Sequence, residues 1–283
     1  MTRRSKSESC LVYGSASLLG LVLLCPVLWL FIMSISSTRD LTTLPLQWFP
    51  SEISFDNYAK LVSDLDSSTA ESFLSALRNS LIVAISATTL SLLAAIPAAY
   101  SLSRLPGSRR KSLLFVAIAT FMMPPVALVL PLYSTMGALG LLNTHIALIA
   151  VYCGILVPFT TWLLKSNFDA IPIDLDEAPL IDGANRLQII WHITLPIAKP
   201  AVGAAALMAI LMAWDEFFYA LLFTNDIRAK TLPVAIADFA AGRVADYGLI
   251  SAAGILATLP PVSMAYFLQK SLVSGLMSGS VKG

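Results

Sequence analysis

The stretch DEAPLIDGANRLQIIWHITLPIAKP, residues 176–200, is a polar interruption between two long apolar runs. It combines acidic residues, an Asp-Gly pair, a histidine and three prolines. The flanking runs, residues 145–164 and 201–223, are each long enough to cross about 30 Å of hydrocarbon as a helix. The stretch therefore predicts a folded segment outside a membrane, placed between two membrane-spanning helices.

The composition of the whole chain is that of an integral membrane protein. Of its 283 residues, 57% are hydrophobic and 12% are charged, and the mean hydropathy is +0.78. Soluble domains carry about 25% charged residues. The net charge of +1 gives no indication of nucleic-acid binding, which requires a concentrated basic excess. Cys10, Cys25 and Cys153 have no CxxC spacing, so we predict neither a disulfide framework nor a metal site.

Six apolar stretches have the length of a transmembrane helix, which needs about 20 residues. They are residues 11–35, 79–102, 113–133, 145–164, 201–223 and 247–269. Each is predicted to be helical because lipid offers no partner for unpaired backbone groups, so the fold class is all-α. The first stretch follows basic residues as a secretory signal does, but its apolar run is too long, and we interpret it as an anchor.

The lysines and arginines predict the orientation of these spans. If the N-terminus is cytoplasmic, twelve of the 18 basic residues fall on inner segments, most densely in SRLPGSRRKS at 103–112. The positive-inside rule then places both termini in the cytoplasm. The predicted organisation is a cytoplasmic N-terminus (1–10), a transmembrane domain (11–272) with a cytoplasmic loop (165–200) and two outer loops (36–78 and 225–246), and a C-terminal tail (273–283).

Local signals divide the cytoplasmic loop into two short helices. Asp174 is placed to cap the first helix, and Glu177 stands at the spacing of a capping box. Gly183 is expected to end that helix because glycine accepts the left-handed backbone of a sharp turn. We expect Pro196 and Pro200 to break the second helix before the fifth span. The second helix is predicted from the apolar residues Leu187, Ile190, Trp191 and Ile193. An ordinary connector remains the alternative interpretation.

Six residues of this loop carry a resemblance to a known family. They match the signature E-A-A-x(3)-G-x(9)-I-x-L-P at every spacing, and they are Glu177, Ala178, Gly183, Ile193, Leu195 and Pro196. The signature is that of the permease subunits of binding-protein-dependent ABC importers. The resemblance implies that these residues, with Asp182, dock on an ATPase subunit and transmit ATP-driven closure to the membrane helices. Pro179 departs from the pattern, since the family usually has alanine there.

Other stretches resemble the maltose-type, carbohydrate-importing members of that family, among them MMPPVALVLPLY at 122–133 and AWDEFFYALLF at 213–223. The C-terminal sequence GLMSGSVKG, with Gly275, resembles a strand that inserts between two ATPase subunits; a disordered terminus is the alternative. The resemblance assigns that contact to Gly279, Val281, Lys282 and Gly283.

The resemblance also implies the partners, the location and the absence of a catalytic role. The partners are a second homologous permease, two ATPase subunits and an extracytoplasmic solute-binding protein that delivers a sugar-type solute. The location is a bacterial-type inner membrane that the chain crosses several times. This chain binds no cofactor, because ATP and Mg belong to the ATPase subunits. Consistently, the sequence has no GxxxxGK[ST] phosphate loop.

Two acids stand inside the predicted fifth span, and each would be costly to place in hydrocarbon unless it faced protein or water. On a continuous helix, Glu216 lies about 60° from a stripe of small residues and Asp215 about 100° from Glu216, at 100° per residue. That stripe, a predicted helix contact face, consists of Ala205, Ala209 and Ala213. One acid is therefore expected to brace a neighbouring helix while the other lines a cavity. The candidates for the substrate path are Met123, Trp214, Asp215, Glu216 and Tyr219; the aromatic residues serve equally well as core or interface belt.

Prolines are expected to bend the spans that contain them. They are Pro124, Pro125, Pro131, Pro158, Pro260 and Pro261. The outer loop from Asp226 to Asp246 resembles a segment that, in some maltose-type permeases, reaches into the solute-binding protein, and a passive cap is its alternative.

Two other function classes remain open at this stage. An ion-coupled secondary transporter could use Asp215 or Glu216, although such carriers often show internal repeats and none is evident here. An intramembrane enzyme is disfavoured because His145 and His192 would lie on opposite sides of the membrane and no HExxH or GxSxG motif occurs.

Overall fold

A computed structural model describes residues 6–43, 45, 47–63, 68–241 and 246–280. All regular secondary structure within these ranges is helical. The helices are α1 (Lys6–Ser34), α2 (Thr38–Thr42), α3 (Asp56–Val62), α4 (Ser68–Arg104), α5 (Gly107–Phe121), α6 (Pro125–Ala138), α7 (His145–Phe168), α8 (Asp174–Ile181), α9 (Arg186–Ile189), a π turn (Ile190–Thr194), α10 (Leu195–Trp214), α11 (Phe218–Phe223), α12 (Leu232–Ala240) and α13 (Tyr247–Ser280).

The predicted spans are recovered by length and composition. Within the described ranges, five helical segments are long and apolar enough to cross a membrane: Val12–Ser34, Ser68–Arg104, His145–Phe168, Arg186–Trp214 and Tyr247–Leu268. The count reaches six when α5 and α6 are taken as one span. The second span is longer than predicted, because its helix already begins at Ser68.

The third span is not the continuous helix that residues 113–133 predicted. The axes of α5 and α6 meet at 85° across the break between Phe121 and Pro125. Pro124 has extended backbone, with φ −65° and ψ 130°, because a residue that precedes proline is excluded from the helical region. The pair Pro124 and Pro125 therefore bends the chain as expected. Pro131, Pro158, Pro260 and Pro261 instead lie inside continuous helices.

The predicted break before the fifth span is wrong. Residues Arg186–Trp214 form one helical run that contains both Pro196 and Pro200. Proline has no N–H and crowds the carbonyl of the preceding turn. Here the turn is widened, since the Leu195 N–H donates to Ile190 O, five residues back. A π turn of this kind inserts into a helix without ending it.

The fifth span ends earlier than predicted, at Trp214 rather than Phe223. Asp215 caps the C-terminus of α10, and α11 begins at Phe218 after a short irregular segment. Asp215 and Glu216 are therefore not on one continuous helix, and the angles predicted between them do not apply. The small-residue stripe is buried, as a helix contact face requires: Ala205 and Ala209 are fully buried and Ala213 is 6% exposed.

The C-terminal segment is also different from its prediction. The backbone of α13 remains helical through Ser280, so Gly275 and Gly279 lie in a helix and not in a strand. The other members of the predicted tail contact, Val281, Lys282 and Gly283, lie outside the described residues.

The chain divides into two compact units. The first comprises the described residues up to Leu74 and those from Ala235 to Thr258. Inside it, Asn57 Nδ2 donates to Ser34 O at 3.1 Å, and Tyr58 OH lies 2.6 Å from Ser34 Oγ. Gly248 packs against this amide, where a Cβ would lie 2.6 Å from Asn57 Nδ2. That close approach requires glycine.

The second unit comprises residues from Ser75 to Val234 and the described residues from Leu259 onward. Helix α7 packs against α5, α10 and α11. Part of its core lies where the ends of α4 and α7 meet the helical run from Arg186, and Leu164, Phe168 and Ile189 are at most 1% exposed there. Both candidate sites described below lie in this unit.

Candidate functional site: the elbow and the apolar cavity

We call residues 174–196 the elbow. Its first helix, α8, ends as the sequence predicts. Gly183 has φ +86°, a left-handed conformation that glycine adopts without steric cost. The Gly183 N–H donates to Leu180 O at 3.2 Å, and the Ala184 N–H donates to Pro179 O at 2.9 Å. The chain therefore reverses direction sharply between α8 and α9.

The predicted capping box at Asp174 and Glu177 does not form. Ile173 is the N-cap of α8 and makes no side-chain cap bond. The capping box lies one helix later, where the Gln188 N–H donates to Asn185 Oδ1 at 2.9 Å and the Asn185 N–H donates to Gln188 Oε1 at 2.8 Å. The carboxylates of Asp174 and Glu177 are thus left on an exposed part of the surface.

Pro179 is accommodated within α8, which continues to Ile181. Its missing N–H deprives only the Leu175 carbonyl of a helical partner, and Leu175 is exposed. The departure from the family signature therefore does not prevent the first elbow helix from forming.

A buried ion pair attaches the elbow to α4. Asp176 is 1% exposed, and its Oδ2 lies 2.5 Å from Arg104 Nε. Tyr100 OH donates to the same oxygen at 2.9 Å and accepts from Arg186 Nη1 at 3.4 Å. Arg104 Nη1 also donates to Phe168 O at 3.3 Å. Sequence reasoning missed this group, because nothing local distinguishes Asp176 from its exposed neighbours.

A second set of charges lies at the start of the same loop. Asp169 Oδ2 accepts from Lys165 Nζ at 2.6 Å and is also paired with Arg110. Lys165 is buried and Asp169 is partly exposed. The end of α7, where the loop begins, is therefore tied to the start of α5.

The structure separates the predicted coupling residues into an exposed set and a partly buried pair, Ile193 and Leu195. Glu177, Ala178, Asp182, Gly183 and Pro196 are exposed. Asp182, Gly183 and Ile193 line a groove of about 400 Å³ between α8 and the following helix, while Leu195 and Ile193 pack against the buried core. The predicted amphipathic face is likewise divided: Ile190 is buried, whereas Leu187 and Trp191 are 61% and 57% exposed.

The substrate-path candidates are also divided. Met123 and Tyr219 line a cavity of about 530 Å³ formed by α5, α6, α7 and α11. Tyr219 OH donates to Pro125 O at 3.4 Å, beside the bend. The wall is otherwise mainly apolar, with Thr120 as its other hydroxyl. Trp214 is buried outside this lining and Asp215 is exposed.

Glu216 has a local structural role. Its Oε1 accepts from the Tyr219 N–H at 2.9 Å and its Oε2 from the Ala220 N–H at 3.2 Å. The carboxylate therefore caps α11, as acids at helix starts do. Its use as a cap does not favour the ion-coupled alternative, in which the same oxygens would bind the coupling ion.

The loop that begins at Asp226 contains α12, and its residues 242–245 lie outside the described part of the chain. Both carboxylate oxygens of Asp226 accept hydrogen bonds from the Arg228 guanidinium, and Arg228 Nη2 donates to Asp226 Oδ2 at 2.9 Å. The bonds from Arg228, and then that from Asn143, hold the pKa of Asp226 well below its ordinary value.

Comparisons with known proteins agree with this arrangement. Residues 87–277 match the family model described as binding-protein-dependent transport system inner membrane component. The chain is 36% identical to the trehalose/maltose transport system permease protein MalG of Thermococcus litoralis, covering 99% of each chain. It is 35% identical to the sulfoquinovosyl glycerol transport system permease protein SmoH of Agrobacterium fabrum, covering 95% of this chain and 92% of SmoH.

A solved structure shares the fold. It is a bacterial ABC transporter involved in the import of the acidic polysaccharide alginate, matched with a TM-score of 0.75 and 24% identity over 95% of this chain and 99% of the solved chain. The elbow that carries the six-residue signature lies wholly within the matched family region. This chain therefore belongs to the family of binding-protein-dependent transport system inner membrane components, as a multi-pass permease subunit of an ABC importer.

Proposed function

We propose that the chain forms half of a transmembrane pathway for a sugar or sugar derivative, and that its elbow couples closure of an ATPase to movement of the spans. The carbohydrate class is supported by relatives named for trehalose, maltose and sulfoquinovosyl glycerol. The full assembly would add a second permease, two ATPase subunits that bind ATP and Mg, and a solute-binding protein.

The observation that carries the coupling role is the construction of the elbow. Its outer surface presents Glu177, Asp182 and Trp191 to a partner, while Asp176 beneath them is fixed to α4 by the Arg104 ion pair. A docking surface that moved independently of the membrane spans could not transmit a displacement to them. Here the exposed Glu177 and the buried Asp176 are adjacent residues of α8, so a push on α8 would act directly on α4.

The orientation and the domain limits belong to the same proposal. The basic cluster around Arg104 and Arg110 lies beside the elbow, and the positive-inside rule places such clusters in the cytoplasm. Both termini, the 165–200 loop and the 273–283 segment would then be on the ATPase side. The C-terminal contact would begin from a helix that extends to Ser280.

The apolar cavity beside the bend is proposed as part of the path. A sugar bound tightly would need several hydrogen-bond partners, and this wall offers chiefly the hydroxyls of Thr120 and Tyr219. We therefore propose that the solute makes weak, transient contact with Met123 and Tyr219 in this cavity. Specificity would then reside in the solute-binding protein. Trp214, Asp215 and Glu216 would support this wall from the α10–α11 junction.

The coupling role is tested by Glu177→Arg in the assembled importer reconstituted in liposomes. Solute uptake and binding-protein-stimulated ATP hydrolysis should fall together, because a reversed charge at a docked interface costs about 2–5 kcal/mol. Glu52→Arg, an equally exposed reversal in the 36–78 loop, is the matched control and should retain both activities. Wild-type uptake by Glu177→Arg would refute the proposed docking.

The energy source and the solute are tested separately. Vanadate should stop uptake, whereas a protonophore should leave it intact while ATP is maintained. Thermal shifts of the solute-binding protein that activates this importer, measured against a panel of sugars, should identify the solute. A panel without a single sugar-induced shift would contradict the carbohydrate class.

A further inference from the structure

The segment between α11 and α12, residues 224–231, has no regular helix of its own beyond a turn at 227–229. Its backbone is nevertheless held at several points by side chains from other elements. Such a segment would otherwise present unpaired N–H and C=O groups, which favour hydration and mobility. The source of these contacts indicates what the segment is held for.

Two adjacent residues near the start of the second span hold one side of the segment. Asn79 Nδ2 donates to Ile227 O at 2.8 Å and to Lys230 O at 3.0 Å. Ser80 Oγ accepts from the Leu232 N–H at 2.8 Å, at the first residue of α12. Asn79 and Ser80 are 4% and 3% exposed, so these bonds are shielded from water.

The turn before α7 holds the other side. Asn143 has φ 58°, a left-handed conformation that asparagine tolerates. Its Oδ1 accepts from the Asn225 N–H at 3.0 Å and the Asp226 N–H at 3.4 Å. His145 Nε2 lies 2.8 Å from Asn79 Oδ1. Because both N–H groups of that amide are directed at carbonyls, its oxygen must accept, and Nε2 is the protonated nitrogen of His145.

We infer that Asn79, Ser80, Asn143 and His145 form a loop clamp that positions the base of the 226–246 loop for the solute-binding protein. The inference rests on the proposed function, which gives that loop its partner. Ordering a free loop on binding would reduce affinity, and a loop already ordered avoids that loss. The clamp residues act through the loop and do not themselves contact the binding protein, so they are positioning residues.

The clamp is tested in the complete importer in nanodiscs by titrating the solute-loaded binding protein and following ATP hydrolysis. Asn79→Ala removes both carbonyl contacts, and Asn143→Gly removes the oxygen that accepts from two N–H groups while keeping the left-handed backbone. Each should raise the binding-protein concentration for half-maximal stimulation by about tenfold. The maximal stimulated rate should stay within about twofold of the wild-type rate. A variant loop that becomes ordered only on binding reaches the same bound state as the wild-type loop. Thr89→Ala, an exposed change on the same helix, should alter neither value.

An unchanged half-maximal concentration in both clamp variants would overturn the inference. So would a loss of maximal rate at an unchanged half-maximal concentration, because that result describes a purely structural role. If the wild-type importer shows no response to the binding protein, the proposed function fails instead.

Hydrogen exchange then tests the clamp independently of any partner. In Asn143→Gly the amides of Asn225 and Asp226 should exchange about tenfold faster, as local opening becomes easier. In Ser80→Ala the amide of Leu232 should do the same. Exchange rates equal to those of the wild type at all three amides would show that no clamp operates.

Discussion

Replacing Asp176 should weaken the attachment of the elbow far more than replacing its neighbour Asp174. Asp176→Ala leaves the Arg104 guanidinium, whose side chain is 11% exposed, without its counter-charge. Breaking one partner of a buried pair costs about 3–5 kcal/mol. Asp176 Oδ1 and Arg104 Nη2 have no hydrogen-bond partner among the described residues, and Arg104 retains the Phe168 carbonyl. We therefore expect the low end, about 3 kcal/mol.

The measurement is thermal unfolding of the purified permease in detergent. At about 2–4 °C per kcal/mol for a chain of this size, Asp176→Ala should lower the midpoint by about 6–12 °C. Asp176→Asn should lower it less, because the amide oxygen still accepts from Tyr100. Asp174→Ala lies two residues away on the exposed part of α8 and should stay within about 0.5 kcal/mol of the wild type.

The double variant Asp176→Ala/Arg104→Leu isolates the pair. Once the guanidinium is gone, no uncompensated charge remains, so the double variant should be more stable than the two single losses added together. Strict additivity would refute the ion pair as the source of the effect. Equal losses for Asp174→Ala and Asp176→Ala would refute the burial argument as well.

Three further outcomes follow from single side chains. The Asp226–Arg228 contact should persist at pH values above the ordinary aspartate pKa of about 3.9. It should weaken only as the pH falls further, through the lowered pKa of Asp226 in the folded state. An NMR titration of the Asp226 carboxyl group with an ordinary midpoint would contradict this. Gly183→Ala forces a side chain into a left-handed turn at about 1–2 kcal/mol, so the unfolding midpoint should drop, and an unchanged midpoint would be inconsistent with φ +86°. Glu216→Ala should destabilise the start of α11 by about 1 kcal/mol, which faster hydrogen exchange at the Tyr219 amide would show. Glu216→Gln retains an acceptor, so the Tyr219 amide should exchange more slowly in this variant than in Glu216→Ala.

Hydropathy predicted six spans, a count that the described helices reach only when α5 and α6 are taken as one span, and it could not predict where the spans break. The residues 201–223 are continuously apolar apart from two acids, and only the folded chain shows Glu216 turning back to cap α11. Proline gave an ambiguous signal. Pro124 and Pro125 bend the chain because the second proline excludes the first from helix, whereas Pro196 is absorbed by one widened turn. Sequence spacing alone does not distinguish these outcomes.

The elbow was predictable in its outline and not in its support. Gly183 marks the turn in both sequence and structure, since left-handed backbone is a local requirement. The capping box moved from Asp174 to Asn185 because an N-cap needs extended backbone: Asn185 has ψ 164° after the turn, whereas Ile173 is already helical at ψ −31°. The Asp176–Arg104 pair joins residues 72 positions apart, which a local pattern cannot relate.

The loop clamp and the anchor of the elbow share one helix. Helix α4 carries Asn79 and Ser80 of the loop clamp near one end and Tyr100 and Arg104 of the elbow anchor at the other. At 1.5 Å per residue, the distance from Asn79 to Arg104 is about 38 Å, enough to cross the hydrocarbon core. In the proposed function, a displacement of the elbow would reach the 226–246 loop through one continuous element with buried polar contacts near both ends.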